Sequence, residues 1–261
     1  MTTNRWQDDE LRSLRAMTRE FARREILPHQ ERWEAEGELP RALHRTAGDA
    51  GLLGAAFPAA VGGGGGDLRV MTTVVEALHE SGVAGGVQAS LFTCGIALPH
   101  LVEAGNPEQI DRWVRPTFAG DLIGALAITE PSGGSDVGHL RTTARREGDH
   151  YVVNGAKTYI TSGCRADFVV AAVRSGGPGA RGVSLLVIEK DTPGFEVSRK
   201  LDKMGGAPPT PPSCRSPTPG CRRPTSSGPR AWGSPSSGLR SSPRESPSRR
   251  RHTRSPSGPW T

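Results

Sequence analysis

Two segments of the chain combine hydroxyl side chains with glycines, a combination suited to holding a flat polar ligand. The first is the turn 129–136, where Thr129 follows an apolar run and Gly134 and Ser135 come shortly after. Glycine allows close approach to the backbone, and the Thr129 hydroxyl and amide can both face one edge of a ligand. From the residues alone, an ordinary loop after a strand explains the same spacing, with Asp136 capping the segment that follows.

The second segment, 154–163, places a hydroxyl and an aromatic ring between glycines. It reads Asn-Gly-Ala-Lys-Thr-Tyr-Ile-Thr-Ser-Gly, so Tyr159 and Thr161 flank Ile160. We expect a strand over 158–161 that ends in the Thr161 hydroxyl. The Tyr159 ring could cover a planar ligand, or it could lie in the core as buried aromatics do.

These two segments resemble the flavin motifs of the acyl-CoA dehydrogenase family. The matching residues are Thr129-Glu130-Pro131, the small-residue run to Gly134-Ser135-Asp136, Asn154-Gly155, Lys157 and Ile160-Thr161. Tyr159 stands where the family usually has Trp or Phe, and Ser162 where it usually has Asn. Further matches extend the resemblance over residues 8–205.

The resemblance implies that the cofactor is FAD. It assigns cofactor contacts to Leu126, Ile128, Thr129, Gly134, Ser135, Tyr159, Ile160 and Thr161. Leu126, Ile128 and Thr129 would meet the pyrimidine edge, whose carbonyls and ring nitrogens need donors. Tyr159 would lie against a flavin face and Thr161 near N5. Ser135 would also face the substrate thioester.

The implied reaction is FAD-dependent α,β-dehydrogenation of an acyl-CoA thioester, with electrons passed to an electron-transfer flavoprotein. In the family, a C-terminal four-helix bundle provides the glutamate base, a wall of the acyl channel and the core of a homotetramer. Glu130 follows the first motif but is not the family's base, so the sequence assigns no catalytic residue. Flavin monooxygenases and nitroalkane oxidases of the same fold share both motifs and are the alternative enzymes.

The elements that must position these motifs predict an α+β fold, with an all-helical domain over 1–120 and a small β-barrel-like domain over 121–205. Apolar residues at helical spacing predict helices over 8–35 with a break at Pro28, from Leu39-Pro40 to near Gly51, over 67–81, over 87–104, and from Asn106-Pro107 through Val114. Short β-branched runs predict strands over 122–128, 141–146, 150–153, 158–161, 168–173, 183–188 and 195–201. Asn154-Gly155 predicts a hairpin turn, because a type I′ turn needs two positive φ angles.

Five consecutive glycines, Gly62 to Gly66, predict a loop between two helices. A glycine-rich loop can also cradle phosphate. No Lys-Ser or Lys-Thr follows this one and no clear strand precedes it, so a plain linker is the favoured interpretation.

The composition changes abruptly after Gly205. Residues 206–261 hold 13 of the 22 prolines, together with 13 serines, ten arginines and one glutamate. Their net charge is +9. Because the whole chain has a net charge of +6, residues 1–205 carry −3. With a single leucine and no Val, Ile, Met, Phe or Tyr, this tail cannot offset the entropy of ordering and is expected to be disordered.

The tail also has the properties of an out-of-frame product. Back-translation with the loss of one base near Gly205 lets the following residues be read as Trp-Arg-Ala-Ser-Asp-Thr and onward, which is the continuation that the family has. The chain is therefore expected to be a truncated, inactive member that lacks the C-terminal bundle and forms no tetramer. The alternative is a non-enzymatic protein whose Arg/Ser/Pro-rich tail binds RNA or anionic surfaces.

Composition also narrows the remaining classes of function. The mildly acidic body gives no reason to expect a nucleic-acid partner, because the high pI comes from the tail. The four cysteines have no metal-ligand spacing and the histidines form no cluster with them, so no metal site is expected. With no signal peptide and no long apolar run, we expect a cytoplasmic protein without a membrane span.

Overall fold

The computed structural model describes residues 8–197 and the two-residue strand at 214–215. Helices fill the first part of this chain and strands the second, which confirms the mixed α+β class. The change from helix to strand falls between Phe118 and Gly124. The closure of a barrel and a domain boundary at residue 120 stay predictions.

The helical part contains short and medium helices joined by tight turns. They are α1 (Asp8–Phe21), α2 (Gln30–Glu36), α3 (Arg41–Asp49), α4 (Leu68–Glu80), α5 (Gly85–Leu91), α6 (Cys94–Ala97), α7 (Pro99–Ala104), α8 (Pro107–Gln109) and α9 (Arg115–Phe118). A π-helical turn at Ala22–Ile26 extends α1, and another at Ile110–Val114 joins α8 to α9. The predicted break at Pro28 is confirmed, because α2 begins only at Gln30.

The prediction of one helix over 87–104 is wrong, since three helices cover this stretch. Phe92 has φ −101° and ψ 30°, outside the helical region, and it separates α5 from α6. Pro99 starts α7 at a position where its missing N–H is not needed. Apolar spacing alone did not reveal these two interruptions.

Within the described residues, the strands form one five-stranded sheet and one three-stranded sheet. They are β1 (Gly124–Ala127), β2 (Thr143–Glu147), β3 (His150–Asn154), β4 (Ala156–Lys157), β5 (Phe168–Arg174), β6 (Val183–Glu189), β7 (Glu196–Val197) and β8 (Cys214–Arg215). The strand β5 pairs in parallel with β1 and antiparallel with β6, and it meets β2 at its end. Its residues are almost all buried, as expected for a strand covered on both faces.

Two local predictions in the strand region are wrong. Residues 158–161 form no strand, because Tyr159 and Ser162 adopt left-handed conformations with φ of 56° and 59°. Asn154-Gly155 makes no hairpin either. The β2–β3 hairpin turns instead at Gly148-Asp149, between the paired residues Glu147 and His150. A glycine is needed at 155 because a Cβ there would strike Thr142.

The run Gly62–Gly66 is a tightly packed loop and not a plain linker. The amides of these glycines donate to carbonyl oxygens of residues 54–59, with Gly65 N lying 2.7 Å from Phe57 O. Side chains at Gly63, Gly64 or Gly66 would collide with residues 55–57 or with Val70. The phosphate-loop alternative is wrong, because the amides that would bind phosphate are already used.

The core joins the helices to the sheet. A large cluster of buried side chains runs through the helices and reaches Phe168 and Val170 of β5. The rings of Trp113 and Phe168 lie 6.3 Å apart within it. A second cluster on the other face of the sheet includes Ala125, Ala127 and Val169. The alternation along β1 and β5 thus divides the apolar side chains between two cores.

The disorder of 206–261 stays a prediction, although the backbone of Cys214–Arg215 forms β8 between β4 and β7. Such pairing uses main-chain groups and needs no apolar side chains. The rest of the tail, the change of frame and the end of the predicted strand 195–201 lie outside the described residues. Among the described helices none is both long and apolar enough to cross a bilayer.

Candidate functional site

Hydrogen bonds hold the two motifs side by side. The amide of Thr158 donates to the carbonyl of Thr129 at 2.8 Å. One residue earlier in each motif, Lys157 Nζ donates to the Ile128 carbonyl at 2.9 Å. Ile160 then enters the core next to Ala125 and Ala127. The turn that carries Tyr159 and Thr161 is therefore fixed beside the end of β1.

A buried ion pair lies directly behind this contact. Lys157 Nζ and Glu130 Oε1 are 2.9 Å apart, and both side chains are about 95% buried, with 5% and 4% of their surface exposed. The other Glu130 oxygen accepts from the Arg141 amide at 2.7 Å, and Oε1 also accepts from the Thr142 amide. One carboxylate thus ties together the end of β1, the start of β2 and β4.

The pKa values of the pair follow from burial and these hydrogen bonds. Burial opposes ionisation of Glu130, but the bonds from Thr142, Arg141 and Lys157 outweigh it and lower the pKa to about 2. Burial also lowers the pKa of Lys157, against the opposing effect of Glu130. Near neutral pH the carboxylate is ionised and fully engaged.

The turn after Lys157 has an unusual backbone. Tyr159 and Ser162 both have positive φ, which costs on the order of 1–3 kcal/mol at a non-glycine residue. Ser162 is fully buried, and its hydroxyl donates to the Ser90 carbonyl of α5 at 3.3 Å. The helical part therefore helps to hold the turn in this shape, which leaves 68% of the Tyr159 side chain exposed.

The glycine turn of the first motif closes back on itself. Glu130 and Gly133 exchange two backbone hydrogen bonds, at 2.9 and 3.1 Å, around Pro131-Ser132. A Cβ placed on Gly134 would lie 3.2 Å from Thr129 Cγ2, so glycine leaves the side of Thr129 open. Ser135 follows on the exposed side of this turn.

The residues predicted to contact a cofactor differ in how accessible they are. Ile128, Thr129, Gly134 and Thr161 are half-buried, whereas Ser135 and Tyr159 are exposed. The core interpretation of Tyr159 is therefore wrong. Leu126 is half-buried and packs on the helical core, and Ile160 is 1% exposed, so only its backbone could meet a ligand.

The residues that hold the site together were not predicted as such. Lys157, Thr158 and Ser162 make the contacts described above, and Glu130 was noted only as following the motif. A signal was present in the sequence, because Glu130 and Lys157 are opposite charges that each stand next to apolar or small residues. Buried charges are normally paired, so they pointed to each other.

The arrangement suits binding and orientation. Half-buried hydroxyls and main-chain groups lie beside an exposed aromatic ring, which can hold the edge and the face of a planar heterocycle. The carboxylate closest to them in sequence, Glu130, is enclosed and hydrogen-bonded through both oxygens. It cannot reach a substrate proton without breaking the pair.

Comparisons with known proteins agree with this geometry. Residues 8–121 match the family model "Acyl-CoA dehydrogenase, N-terminal domain", and residues 125–210 match "Acyl-CoA dehydrogenase, middle domain". An acyl-CoA dehydrogenase of Bacillus subtilis is 37% identical over 193 residues, which are 74% of this chain and 51% of that protein. The chain thus spans about half the length of the curated relatives it matches.

Solved structures give the same result. A candidate acyl-CoA dehydrogenase of Mycobacterium smegmatis is 58% identical with a TM-score of 0.79, over 81% of this chain and 55% of that one. A glutaryl-CoA dehydrogenase from Mycobacterium smegmatis, solved in complex with FADH2, is 27% identical with a TM-score of 0.75, over 89% of this chain and 58% of that one. Matches to both domain models, together with these structures, show that the chain belongs to the acyl-CoA dehydrogenase family.

Proposed function

We propose that this chain carries the flavin-binding half of an acyl-CoA dehydrogenase, whose reaction is FAD-dependent α,β-dehydrogenation of an acyl-CoA thioester. The observation that carries the proposal is the hydrogen bond from the Thr158 amide to the Thr129 carbonyl, which brings the two motifs together. Bound FAD supplies the hydride acceptor. Electron-transfer flavoprotein is the proposed partner that reoxidises it.

The residues present fit the cofactor. Gly134 leaves open a face of Thr129 that a side chain would crowd, and the turn at 159–162 is held in a strained form that exposes a ring. Backbone strain of this kind is common at ligand sites. In our proposal Ile128, Thr129 and Leu126 hold the pyrimidine edge, Tyr159 and Thr161 orient the ring, and Ser135 faces the thioester end.

The chemical step needs a base that the described residues do not offer at this site. Glu130 is engaged by Lys157 and by the amides of Arg141 and Thr142. We therefore place the base in the C-terminal bundle of the family. Residues 206–261 lack the apolar side chains that such a bundle needs for its core. As written, the chain is proposed to be inactive, to bind flavin weakly and to form no tetramer.

The tail is proposed to result from a change of reading frame near codon 205. The support is in the sequence: the composition changes at one point, and the shifted frame gives the family's continuation. Sequencing the gene across codon 205, from genomic DNA and from the expression plasmid, tests this directly. If both DNA sources carry the reading frame that encodes residues 206–261, the tail is a translated part of the protein and the proposed frameshift is contradicted.

The test of function compares the chain with its frame-restored form. The chain as given is expected to purify without the visible flavin absorbance, and the restored protein to purify yellow and to reduce a dye with an acyl-CoA. A panel of thioesters then identifies the acyl chain. A restored protein that binds FAD but oxidises nitroalkanes, or hydroxylates a substrate, would favour the alternative enzymes.

Single substitutions in the restored protein test the residues. Thr129→Ala removes the hydroxyl proposed to face the flavin and should weaken FAD binding by roughly five- to tenfold, the effect of one hydrogen bond worth about 1–1.4 kcal/mol. Thr143→Ala, on the exposed part of β2, is the matched control. Equal FAD affinity in the two variants would contradict the assignment of Thr129.

A further inference from the structure

A polar pocket lies at the opposite end of β1 from Thr129. Its volume is about 360 Å³, and Glu38, Arg41, Cys164, Arg165 and Lys190 are among its lining residues. The parallel strands β1 and β5 both begin at this end. Thr129 lies five residues beyond the first residue of β1, which at about 3.3 Å per residue is roughly 17 Å away.

Arg165 lines this pocket, and it has more hydrogen-bond donors than it has partners to accept them. Its Nη2 lies 3.1 Å from His44 Nδ1, and its Nε and Nη1 are buried without a hydrogen-bond partner. Burial, followed by the effect of Arg165, lowers the pKa of His44 to about 3, so the imidazole is neutral. Among the described residues Arg165 forms no ion pair within 4 Å. Arg165 as a residue is half-buried, but these two nitrogens are shielded from solvent, and a guanidinium shielded without a counter-ion is costly, so this position favours an anion.

The neighbouring charges increase this preference. Arg41 and Lys190 share a single carboxylate, that of Asp167, which also accepts from the Ile123 amide at 2.9 Å. Three cations therefore surround one bound carboxylate, and among the described lining residues the exposed Glu38 adds a second negative charge. The excess of one to two positive charges corresponds to a phosphate group, which carries about −1.5 to −2 at neutral pH.

We propose that this pocket binds an oxyanion of the phosphate class, with the half-buried Arg165 as the central donor and Arg41 and Lys190 as flanking cations. Arg41 is held in place, since its Nη1 donates to the Arg165 carbonyl at 2.9 Å. The site does not depend on flavin binding, so its test is independent of the proposed enzymatic function.

Cys164 provides a reporter within the pocket. In a full-length Cys214→Ser, Cys221→Ser background, Cys94 stays silent because it is buried and burial raises its pKa to about 12. The rate at which neutral dithiodipyridine labels Cys164 is measured against increasing phosphate, with sodium chloride at matched ionic strength. Phosphate should slow labelling with saturation, whereas chloride and acetate should not.

Substitutions test whether the Arg165 guanidinium is responsible for the protection of Cys164 by phosphate. Arg165→Met should raise the phosphate concentration that gives half-maximal protection of Cys164 by at least about tenfold, because a charge-assisted hydrogen bond is lost. The exposed Arg181→Met is the control and should leave protection unchanged. Phosphate should also raise the melting temperature of the parent protein but not that of Arg165→Met.

Arg165→Met should fold, because it removes a buried charge that has no carboxylate partner. If it does not fold, the half-exposed Lys190→Met replaces it, with an expected loss of several-fold. Protection by glycerol phosphate as well as by free phosphate indicates a phosphomonoester site, and protection by free phosphate alone indicates a site for the ion. Protection equal to that by chloride or acetate, or unchanged protection in Arg165→Met and Lys190→Met, overturns the proposal.

Discussion

The Glu130 carboxylate connects the three segments that surround the candidate flavin site. It accepts hydrogen bonds from the amides of Arg141 and Thr142 and pairs with Lys157, which in turn holds the Ile128 carbonyl. Removing either charge leaves the other one buried without its partner. A buried ion pair of this kind need not add net stability, but breaking it is expensive.

Glu130→Gln is expected to destabilise the protein by about 3–5 kcal/mol, because the Lys157 ammonium is left buried without its counter-ion. Urea denaturation of the chain, followed by circular dichroism, measures the loss. Glu103→Gln on the exposed surface of α7 is the control and should be near neutral. Adding Lys157→Met to Glu130→Gln should recover part of the loss, and strictly additive effects would argue against coupling of the two charges.

Acid should remove the contribution of Glu130. Its pKa is about 2 in the folded protein and 4.5 as the ordinary value, so the stability that it provides is complete above pH 4.5 and is lost as pH falls toward 2. The free energy of unfolding, measured from pH 6 downward, should decline less steeply in the Glu130→Gln, Lys157→Met double variant. Parallel pH profiles would show that other groups cause the acid sensitivity.

Helices α3 and α9 approach each other through glycines. A Cβ on Gly48 would collide with the Ala119 carbonyl, and one on Gly120, where φ is 78°, would collide with the His44 carbonyl. The backbones are therefore in direct contact. Because β1 starts four residues after Gly120, this contact fixes where the sheet begins relative to the helices.

Gly48→Ala should destabilise the protein by about 1–3 kcal/mol, although alanine is the better helix former, because the added methyl overpacks the contact. Gly95→Ala in α6 is the matched control. Apart from its own helix backbone and chain neighbours, the added methyl there meets no described atom within 4 Å, so a gain of about 0.5–1 kcal/mol is expected. Thermal melts of both variants test the opposite signs. A stabilised Gly48→Ala would show that α3 and α9 can move apart.

Element types followed from periodicity, whereas local breaks did not. The alternation of apolar and charged residues was sufficient for α1 and α4, and β-branched runs for β5 and β6. Tyr159 and Ser162 carry no sign of a positive φ, since tertiary contacts such as Ser162–Ser90 impose it. Asn154-Gly155 resembled a turn because glycine there serves a close approach to Thr142.

The candidate site, like the fold, could be predicted from the sequence only in part. The residues assigned to ligand contacts come from motifs that are continuous in sequence, and those contacts stay predictions. The ion pair behind them joins positions 27 residues apart, which no local pattern specifies. The pocket around Arg165 was not predicted at all, because it combines residues that are distant in sequence, from the start of α3 and the segment before it, the 164–166 turn and the end of β6.

At the scale of the whole molecule, the larger of the two cores in the described residues crosses from helices to sheet. Phe168 of β5 lies in the helical cluster against Trp113, and Trp113 Nε1 donates to Glu189 of β6 at 3.0 Å. Neither part can lose its packing without exposing the other. We therefore expect the described body to unfold as a unit.

Phe168→Ala should cost about 3–5 kcal/mol and should lower the midpoints of helix loss and of tryptophan fluorescence change together. Leu68→Ala, at an α4 side chain that is 72% exposed, is the control and should change stability by less than about 0.5 kcal/mol. Two separate transitions in the parent chain, or a shift in only one probe, would contradict a shared core.

The parallel pairing of β1 with β5 closes the segment 128–167 at its base, and both motifs lie inside that closed segment. The pairing of β1 with β5 therefore meets part of the entropy of bringing the motifs together. Because the sheet already holds the two motifs side by side, a domain that covers them can change in evolution while their arrangement is kept.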